Sequence, residues 1–358
     1  MTDVTYHAKR RGRNLAVAIL LVIVLGMLAG AVGYYKLVEI PIQSRLANEN
    51  DLVLRLTGLQ NPVVNRLNPK FTDADGDLIA DAPTDPAQQI DPATLVFSYV
   101  AVEDPSEYKT AFADLMTHIS KVTGKPVVYF GTTSTDDQLR ALRDGKLQIT
   151  ALNTGSVPMA VCEAGFVPVA ALGDASGTTH YQMEILVRAD SPIMTVDDLK
   201  GHELTLTDPG SNSGYKAPLV LLKSDYGLLP GRDFGIRYSG GHQQSIRGLA
   251  AGTYEAIAVA NDVLAREISD GNIKQAQFRS IYKSENFPTA AIGYAYNLKP
   301  ALASQIRSAI LDFDWKGTSL EKEFSSSGQT RFVPIDYKND WALVRRIDDS
   351  IGFTYQIK

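Results

Sequence analysis

The chain has too few cysteine and histidine residues for two common means of stabilising a fold, disulfide bonds and zinc sites. Cys162 is the only cysteine, and the 358 residues contain five scattered histidines. Intrachain disulfides are therefore excluded, and so is a structural zinc site built from cysteine and histidine. The hydrophobic content of 44% is sufficient for an ordinary core, so we expect a globular protein that is stabilised by packing.

The chain also lacks an excess of basic residues. It contains 35 lysine and arginine residues against 40 aspartate and glutamate residues, which gives a net charge of −5. Basic and aromatic residues are not interleaved, so the composition argues against nucleic acid as a partner. An anionic ligand must then be held by local geometry and not by the overall charge.

The motifs of several enzyme classes are absent as well. The sequence contains no G-x-S-x-G, no H-E-x-x-H and no G-x-x-x-x-G-K-S/T. Ser213-Gly214-Tyr215-Lys216 spells S-x-x-K, the acylating-serine motif of penicillin-binding proteins, but no K-T-G follows it. We therefore predict a protein that is not an enzyme and requires no cofactor.

The N-terminal region contains an uncharged run from Leu15 to Tyr35. At a rise of about 1.5 Å per residue, a helix over this run spans roughly 31 Å, enough to cross the hydrocarbon core of a bilayer. The basic residues that precede it are Lys9, Arg10, Arg11 and Arg13. This charge pattern predicts a cytoplasmic segment at residues 1–14, a single-pass transmembrane anchor in the cell membrane at 15–35 and a periplasmic or extracellular remainder. The alternative is a secretory signal cleaved near Ala29-Gly30-Ala31, which exports the same remainder.

Residues 36–93 are predicted to form a stalk, because prolines are frequent and aromatic residues are few. An acidic loop within it places carboxylates at relative positions 1, 3, 5 and 9, the spacing of oxygen ligands around Ca²⁺; these residues are Asp73, Asp75, Asp77 and Asp81. Over these nine residues the loop resembles the calcium loops of thrombospondin type 3 and dockerin repeats. It departs from them at position 6, which is Leu78, and at position 12, which is Thr84. A calcium site that stiffens the stalk and a solvated acidic loop are both open.

From Thr94 onward, short apolar strands alternate with amphipathic helices. This alternation predicts an α/β fold with mostly parallel sheets, and the number of strands favours two lobes over one small sheet. The predicted strands are Leu95–Val100, Val127–Phe130, Ile149–Leu152, Val167–Ala171, Gln182–Val187, Glu203–Thr207, Phe234–Tyr238, Ala256–Val259, Ser280–Tyr282 and Ile292–Tyr296.

Two loops rich in small and hydroxyl-bearing residues carry the main functional signal. One runs from Asp208 to Tyr215, and the other is Tyr238-Ser239-Gly240-Gly241-His242. Each follows a predicted strand and opens a predicted helix, where free backbone N–H groups and the positive end of the helix dipole converge. This arrangement is typical of anion-binding sites.

Several motifs in order show a resemblance to a known family; they are Lys125-Pro126-Val127, Ala141–Lys146, Asp190–Ile193, Asp197–Gly201 and the two loops. From Leu95 to about Phe313 the chain resembles the phosphate/phosphite/phosphonate substrate-binding proteins of ABC transporters. The resemblance implies a two-lobed type II periplasmic-binding-protein fold with the ligand in the cleft. It places the crossings between lobes near Tyr181–Glu184 and Thr289–Tyr294, so that residues 94–183 and 290–358 form lobe 1 and residues 184–289 form lobe 2.

The resemblance also assigns ligand-binding residues. The serine/threonine loop of the family falls on Ser211, Asn212 and Ser213, and its ligand-contacting histidine falls on His242, which follows Gly241. Side-chain donors beside free N–H groups suit a phosphoryl group, although serine and asparagine are also ordinary helix caps. Thr154 and Ser156 open another helix and are predicted to add donors from the opposite lobe.

A carboxylate of the aminoalkyl-phosphonate binders falls on Asp262, whereas the second such carboxylate falls on Ala290. Because a buried ammonium needs anionic partners, this loss weakens the case for an aminophosphonate ligand. A buried Asp262 would instead accept a hydrogen bond from an oxyanion that carries a proton, and would repel sulfate.

We therefore predict a membrane-anchored solute-binding protein. It captures a small phosphorus oxyanion, that is phosphate, phosphite or a phosphonate, and delivers it to the permease subunits of an ABC importer. The alternative is a membrane-tethered sensory ectodomain that binds a similar anion. Signalling would then require a separate partner chain, because only residues 1–14 precede the predicted membrane segment.

Overall fold

The computed structural model describes residues 67–99 and 105–357. The predicted cytoplasmic segment 1–14, the predicted anchor 15–35 and the first half of the predicted stalk lie outside these residues. Within the described ranges, no helix is both long enough and apolar enough to cross a membrane.

Lobe 1 is built on a six-stranded sheet, in which β1 pairs in parallel with β2 and β3, and β10 pairs antiparallel with β3 and β4. The strand β11 closes the edge by pairing antiparallel with β4. The order of the sheet is β11-β4-β10-β3-β1-β2. Its strands are β1 (Leu95–Ser98), β2 (Val127–Tyr129), β3 (Ile149–Leu152), β4 (Phe166–Gly173), β10 (Ala291–Ala295) and β11 (Arg331–Pro334).

Lobe 2 is built on a five-stranded sheet with the order β7-β6-β8-β5-β9. The strand β6 pairs in parallel with β7 and β8, whereas β5 pairs antiparallel with β8 and β9. Its strands are β5 (His180–Arg188), β6 (Glu203–Leu206), β7 (Gly235–Tyr238), β8 (Ala256–Ala260) and β9 (Phe278–Pro288).

The expectation of mostly parallel sheets is wrong, because both sheets are mixed. The chain passes from lobe 1 to lobe 2 between β4 and β5 and returns between β9 and β10. Each passage carries the chain from one sheet directly into the other, so β5 pairs with β9, and β10 with β4, in antiparallel ladders. The first crossing lies at residues 174–179, before the predicted Tyr181–Glu184, and the second lies at residues 289–290.

Helices cover the faces of both sheets. Two helices adjoin a π-helical turn. The π-helical turn Asn212–Lys216 leads into the helix Ala217–Tyr226, and the helix Val157–Met159 leads into the π-helical turn Ala160–Ala164. Short 3₁₀ turns occur at Pro86–Gln88, Val196–Leu199, Gln275–Gln277 and Ser325–Ser327. The helices are α1 (Pro105–Ala111), α2 (Ala113–Thr123), α3 (Thr135–Arg143), α4 (Val157–Met159), α5 (Ala217–Tyr226), α6 (His242–Ala250), α7 (Asn261–Ser269), α8 (Pro300–Leu311), α9 (Ser319–Phe324), α10 (Tyr337–Asp340) and α11 (Ala342–Ser350).

The core of lobe 1 follows the apolar periodicity of its helices. Leu115 and Ile119 of α2 are fully buried, because side chains three and four residues apart share one face of a helix. They pack into a cluster that includes Phe97, Phe112 and Phe324. This packing fixes the sheet whose strand ends form one wall of the cleft.

The second half of the predicted stalk is packed on lobe 1. Phe71 is 9% exposed and makes an edge-on ring contact with Tyr296, with 4.7 Å between the ring centroids. Backbone hydrogen bonds join Asn68 to Cys162 and Ile90 to Asn297. A buried aromatic residue therefore attaches this segment to the lobe, so residues 67–93 are not a free stalk.

The last helix does not pack on lobe 1 alone, although residues 290–358 were expected to belong to lobe 1. After β11, the helix α11 contacts α5 and the π-helical turn Asn212–Lys216, both of which belong to lobe 2. Trp341, which precedes α11, is fully buried. The end of the chain thus lies against both lobes.

Candidate functional site

A cavity of about 50 Å³ lies between the two lobes. Because one water needs roughly 10–15 Å³ of such space, the cavity has room for a group of a few non-hydrogen atoms. Both lobes and the second crossing contribute to its wall. The lining residues are Tyr99, Asn153, Thr154, Leu172, Tyr181, Ser211, Asn212, Ser213, His242, Ala260, Asp262, Val263, Arg266, Thr289, Ala290 and Gln329.

Parallel strands deliver the functional side chains to the cavity. The strands β6, β7 and β8 run in the same direction, so their carboxyl ends meet at one edge of the lobe 2 sheet. Ser211–Ser213 follow β6, His242 follows β7, and Asp262 follows β8. Each of these segments opens a helix, so three positive helix ends face one space.

The first of these segments, Ser211 to Ser213, forms the start of a helix. The hydroxyl oxygen of Ser211 caps the helix by accepting a hydrogen bond from the N–H of Gly214 at 3.0 Å. Asn212 and Ser213 then occupy the first turn, where the helix itself supplies no acceptor for their N–H groups. All three side chains are at least 97% buried. We call Ser211–Ser213 the anion turn.

Two glycines allow the backbone to take this course. A Cβ at Gly214 would overlap the side chain of Thr207, and a Cβ at Gly155 would overlap the carbonyl oxygen of Gly210. The second of these contacts joins loops of opposite lobes. The lobes therefore touch beside the anion turn, and only glycine permits that approach.

His242 presents a neutral ring to the cavity. The N–H of Ala260 donates to its Nδ1 at 3.3 Å, which assigns the ring proton to Nε2. Burial lowers the pKa of His242 to about 4, so the ring is uncharged at neutral pH. Nε2 lies 3.3 Å from the hydroxyl oxygen of Ser211. Because that oxygen already accepts from Gly214 and His242, the hydroxyl hydrogen of Ser211 is directed to a third partner.

Tyr181 was missed in the sequence and lies at the junction of the lobes. Its hydroxyl accepts a hydrogen bond from Nδ2 of Asn212 at 3.2 Å and lies close to the side chains of Ser213 and Thr154. Burial raises the pKa of Tyr181, so the hydroxyl keeps its proton. Asn212 has a buried Oδ1 with no partner among the described residues, which leaves it an acceptor on the same side.

The opposite lobe contributes fewer groups than the sequence predicted. Thr154 lines the cavity, but its hydroxyl donates to the carbonyl oxygen of Pro288 at 2.6 Å. Ser156 is buried beside Gly210 and is not part of the lining, so the cavity receives no donor from it. Gly241 is likewise outside the lining, because its N–H turns towards Ser239 at 3.4 Å.

Asp262 lines the cavity, but it is not fully buried as the sequence predicted, because 19% of its side chain is exposed. Its Oδ2 lies 3.5 Å from Nη1 of Arg266 and accepts from Nε2 of Gln329 at 3.3 Å. Neither Arg266 nor Gln329 was predicted. Arg266 follows Asp262 by one helical turn, a spacing that the sequence does contain. Ala290, the position of the lost second carboxylate, also lines the cavity.

The charges of the lining balance. Among the described residues, Asp262 and Arg266 are the charged members of the wall, and the remaining polar groups are neutral. An anion in this space would therefore be held by hydroxyls, amides and helix ends and not by a basic cluster. This agrees with the acidic overall composition of the chain.

The acidic loop lies away from the cavity. The structure brings ligand atoms of Asp73, Asp75 and Asp77 within 4.8 Å of one another, and Asp81 is not part of the group. Asp81 instead accepts from the N–H of Ala74 at 2.8 Å. Burial raises the pKa of Asp77, and repulsion from Asp75 and Asp73 acts in the same direction. The calcium site stays a prediction.

Comparison with known proteins places this site in a family context. Residues 97–341, well over half of the chain, match the family model for the periplasmic substrate-binding protein of ABC phosphonate transporters. A curated relative is the phosphate-import protein PhnD of Mycolicibacterium smegmatis, which is 23% identical over 263 residues. The match covers 71% of this chain and 81% of the relative.

Solved structures share the fold. A binding protein of an ABC phosphonate transporter from Pseudomonas aeruginosa has a TM-score of 0.63 at 19% identity, covering 72% of this chain and 86% of that chain. PhnD1 of Prochlorococcus marinus in complex with methylphosphonate has a TM-score of 0.62 at 16% identity, covering 72% and 98%. The extent of the family match and the two-lobed fold lead to one conclusion: the chain belongs to the phosphonate substrate-binding proteins of ABC transporters, with a type II periplasmic-binding-protein fold.

Proposed function

We propose that this protein captures a small phosphorus oxyanion and delivers it to an ABC importer. The observation that carries the proposal is the convergence of Ser211–Ser213 and His242 on a small cavity closed by Thr154 of the other lobe. A tetrahedral phosphorus group offers several acceptor oxygens, which match hydroxyl and amide donors. The relatives support this ligand class, since one is named for phosphate import and another was solved with methylphosphonate.

Capture proceeds by closure of the lobes. Lobe 2 holds most of the donors, while lobe 1 adds Thr154 and brings Gly155 against Gly210. An anion that contacts both walls binds the closed arrangement more tightly than the open one, so it shifts the population towards closure. The closed form then presents one surface, assembled from both lobes, to the permease subunits.

Asp262 provides selection among tetrahedral anions. Its carboxylate accepts a hydrogen bond from a ligand oxygen that carries a proton, and hydrogenphosphate or a hydrogenphosphonate supplies that proton near neutral pH. Sulfate has no such proton, so it leaves the carboxylate facing a negative oxygen. Gln329 and Arg266 hold Asp262 in place.

Calorimetric titration of the full-length protein tests the proposal. Phosphate, phosphite, methylphosphonate, 2-aminoethylphosphonate and sulfate form the panel. We expect at least one of the first three to bind, with sulfate and the amine-bearing ligand weaker by about tenfold or more, because an unpaired buried charge costs more than about 1.4 kcal/mol. Failure of phosphate, phosphite and methylphosphonate all to bind would contradict the proposal.

The variant Asp262→Asn sharpens the test of selection. An amide donates where the carboxylate only accepts, so we expect sulfate binding to appear and the preference over sulfate to fall by about tenfold or more. Unchanged phosphate affinity together with continued exclusion of sulfate would rule out this role for Asp262. Copurification with permease subunits supports delivery, whereas copurification with a kinase would favour the sensory alternative.

A further inference from the structure

A buried cation next to the anion turn takes no part in lining the cavity. Lys216 ends the π-helical turn that begins at Asn212, and its side chain is fully buried. Its Nζ lies 2.8 Å from the carboxylate of Asp348 and 2.8 Å from the carbonyl oxygen of Gly155, to which it donates. The ring of Phe353 lies under the same ammonium at 3.8 Å.

These partners come from two different parts of the molecule. Gly155 belongs to the loop of lobe 1 that touches the anion turn, whereas Asp348 and Phe353 belong to residues 341–357, which we call the C-terminal clasp. Asp348 is fully buried as well and accepts from the hydroxyl of Tyr355, which is also part of the clasp. One ammonium therefore joins the anion turn, lobe 1 and the clasp.

The clasp also holds the facing loop of lobe 1. Nε1 of Trp341 donates to the carbonyl oxygen of Thr154 at 3.0 Å. The carbonyl oxygens of Thr154 and Gly155 are thus fixed by neighbouring hydrogen bonds. Trp341 of the clasp donates to the first, and Lys216, whose charge Asp348 of the clasp neutralises, donates to the second. Both loops that face each other across the cavity are attached to the same segment.

The family model ends at residue 341, so all of the clasp beyond Trp341 lies outside the shared family match. A buried ion pair is a costly way to fill space, because apolar side chains of similar size stabilise a fold at least as well. Removal of only one partner would leave an uncompensated charge. The pair is better explained by the geometry that it imposes on the loops around it.

We propose that Lys216 and Asp348 are positioning residues through which the C-terminal clasp fixes the anion turn against lobe 1. The clasp sets the relative placement of the anion turn and the loop 153–156 in the closed form, so that the donors of the two lobes are aligned when the lobes close. The expected effect of the clasp on ligand affinity rests on the proposed function. Its expected effect on the two loops does not.

The double variant Lys216→Met/Asp348→Asn tests the inference. It removes both charges together, retains the volume of both side chains, and leaves an amide that accepts from Tyr355, so it avoids an unpaired buried charge. Hydrogen exchange of the full-length protein, measured by mass spectrometry, is expected to accelerate by at least about tenfold in residues 153–156 and 211–216. The affinity for the tightest-binding ligand among phosphate, phosphite and methylphosphonate is expected to fall by at least about tenfold.

An ion pair elsewhere in lobe 2 supplies the control. Arg247 and Glu267 join α6 to α7 at a separation of 2.8 Å, and their side chains are 53% and 1% exposed. The variant Arg247→Met/Glu267→Gln should leave exchange in both loops unchanged. Equal exchange in the Lys216→Met/Asp348→Asn variant and the wild type would overturn the inference. Absence of ligand binding by the wild type would refute the proposed function instead, while the exchange result would still decide the role of the clasp.

Discussion

The two lobes contribute unequally to the cavity. Lobe 2 supplies three helix starts at the ends of parallel strands, and these carry Ser211–Ser213, His242 and Asp262. Lobe 1 supplies Thr154, whose hydroxyl is already engaged with Pro288, and close backbone contact at Gly155. In the proposed function, this difference assigns recognition of the ligand to lobe 2 and closure over it to lobe 1.

This division of labour has a physical origin. A helix start offers unpaired N–H groups and a favourable dipole without any need for a charged side chain. Lobe 2 has placed three such starts side by side because β6 pairs in parallel with both β7 and β8. In lobe 1, β10 runs antiparallel beside β3, so the strand next to β3 on that side ends at the opposite edge of the sheet.

The largest predicted difference between the lobes concerns hydroxyl groups. Ser211→Ala should weaken binding of the phosphorus oxyanion by about 10- to 100-fold, because a hydrogen bond to a charged partner is worth about 1.5–3 kcal/mol. Thr154→Val should weaken it by less than about fivefold, since its hydroxyl donates to Pro288. Calorimetric dissociation constants of both variants provide the comparison. A larger loss for Thr154→Val than for Ser211→Ala would reverse the assigned roles.

The next effect concerns closure alone. Gly155→Ala adds a methyl group that overlaps the carbonyl oxygen of Gly210, so the lobes cannot approach as closely. We expect a loss of affinity of about tenfold, within the range of about 1–3 kcal/mol that overpacking costs. Gly235→Ala is the control, because its added Cβ meets no atom closer than 3.9 Å. Equal dissociation constants for the two variants would show that contact at Gly155 is not needed.

The pH dependence of stability isolates His242. Its pKa in the folded protein is about 4, below the ordinary value of 6.5. Between these two pH values the ring binds a proton in the unfolded chain but not in the folded chain. The stabilisation is fully present above pH 6.5 and is lost as the pH falls towards 4. Each pKa unit corresponds to about 1.4 kcal/mol, so the loss in the free energy of unfolding reaches a few kcal/mol.

Denaturant unfolding at pH 7 and pH 5 measures this contribution. His242→Asn places an amide oxygen where Nδ1 accepts from Ala260, so we expect a folded variant whose stability falls less steeply between the two pH values. The exposed His180 supplies the control variant His180→Asn. A slope for His242→Asn equal to that of the wild type would contradict the buried neutral ring.

Local sequence signals were sufficient for much of this architecture. All ten predicted strands are present, and the α/β class and two lobes are confirmed. The shifts at the strand ends are small except for β9, which runs over Phe278–Pro288 where only Ser280–Tyr282 was predicted. The edge strand β11 was missed because Arg331–Pro334 is short and ends in proline, which weakens its strand pattern. The prediction of mostly parallel strand pairs was wrong because the direction of a pair depends on which distant strands become neighbours. The alternation of strands and helices along the chain does not determine these neighbours.

The residues of the site likewise divide into those that local sequence patterns predict and those that they do not. Ser211–Ser213 and His242 follow strands and open helices, so their positions can be read from neighbouring residues. Tyr181 and Gln329 reach the cavity only through the crossings and the packing of distant elements, whereas Arg266 follows Asp262 by one helical turn. Gly241 and Ser156 fit the local pattern, yet the final course of the chain turns them elsewhere.

The smallest predicted effect lies outside the cleft, in the acidic loop. If Asp73, Asp75 and Asp77 hold calcium, addition of Ca²⁺ to the full-length protein should raise the melting temperature by a few degrees, because an ion that binds only the folded state stabilises it. Asp75→Asn should reduce this shift, and Mg²⁺ at the same concentration serves as the control ion. An unchanged melting temperature would identify a solvated acidic loop.

Closure of the lobes on a phosphorus oxyanion is the central claim, and small-angle X-ray scattering of the full-length protein tests it most directly. With the tightest-binding ligand among phosphate, phosphite and methylphosphonate at saturation, the wild type should show a smaller radius of gyration than without it, and Gly155→Ala should show a reduced change. An identical radius of gyration for the wild type with and without the bound ligand would contradict the account.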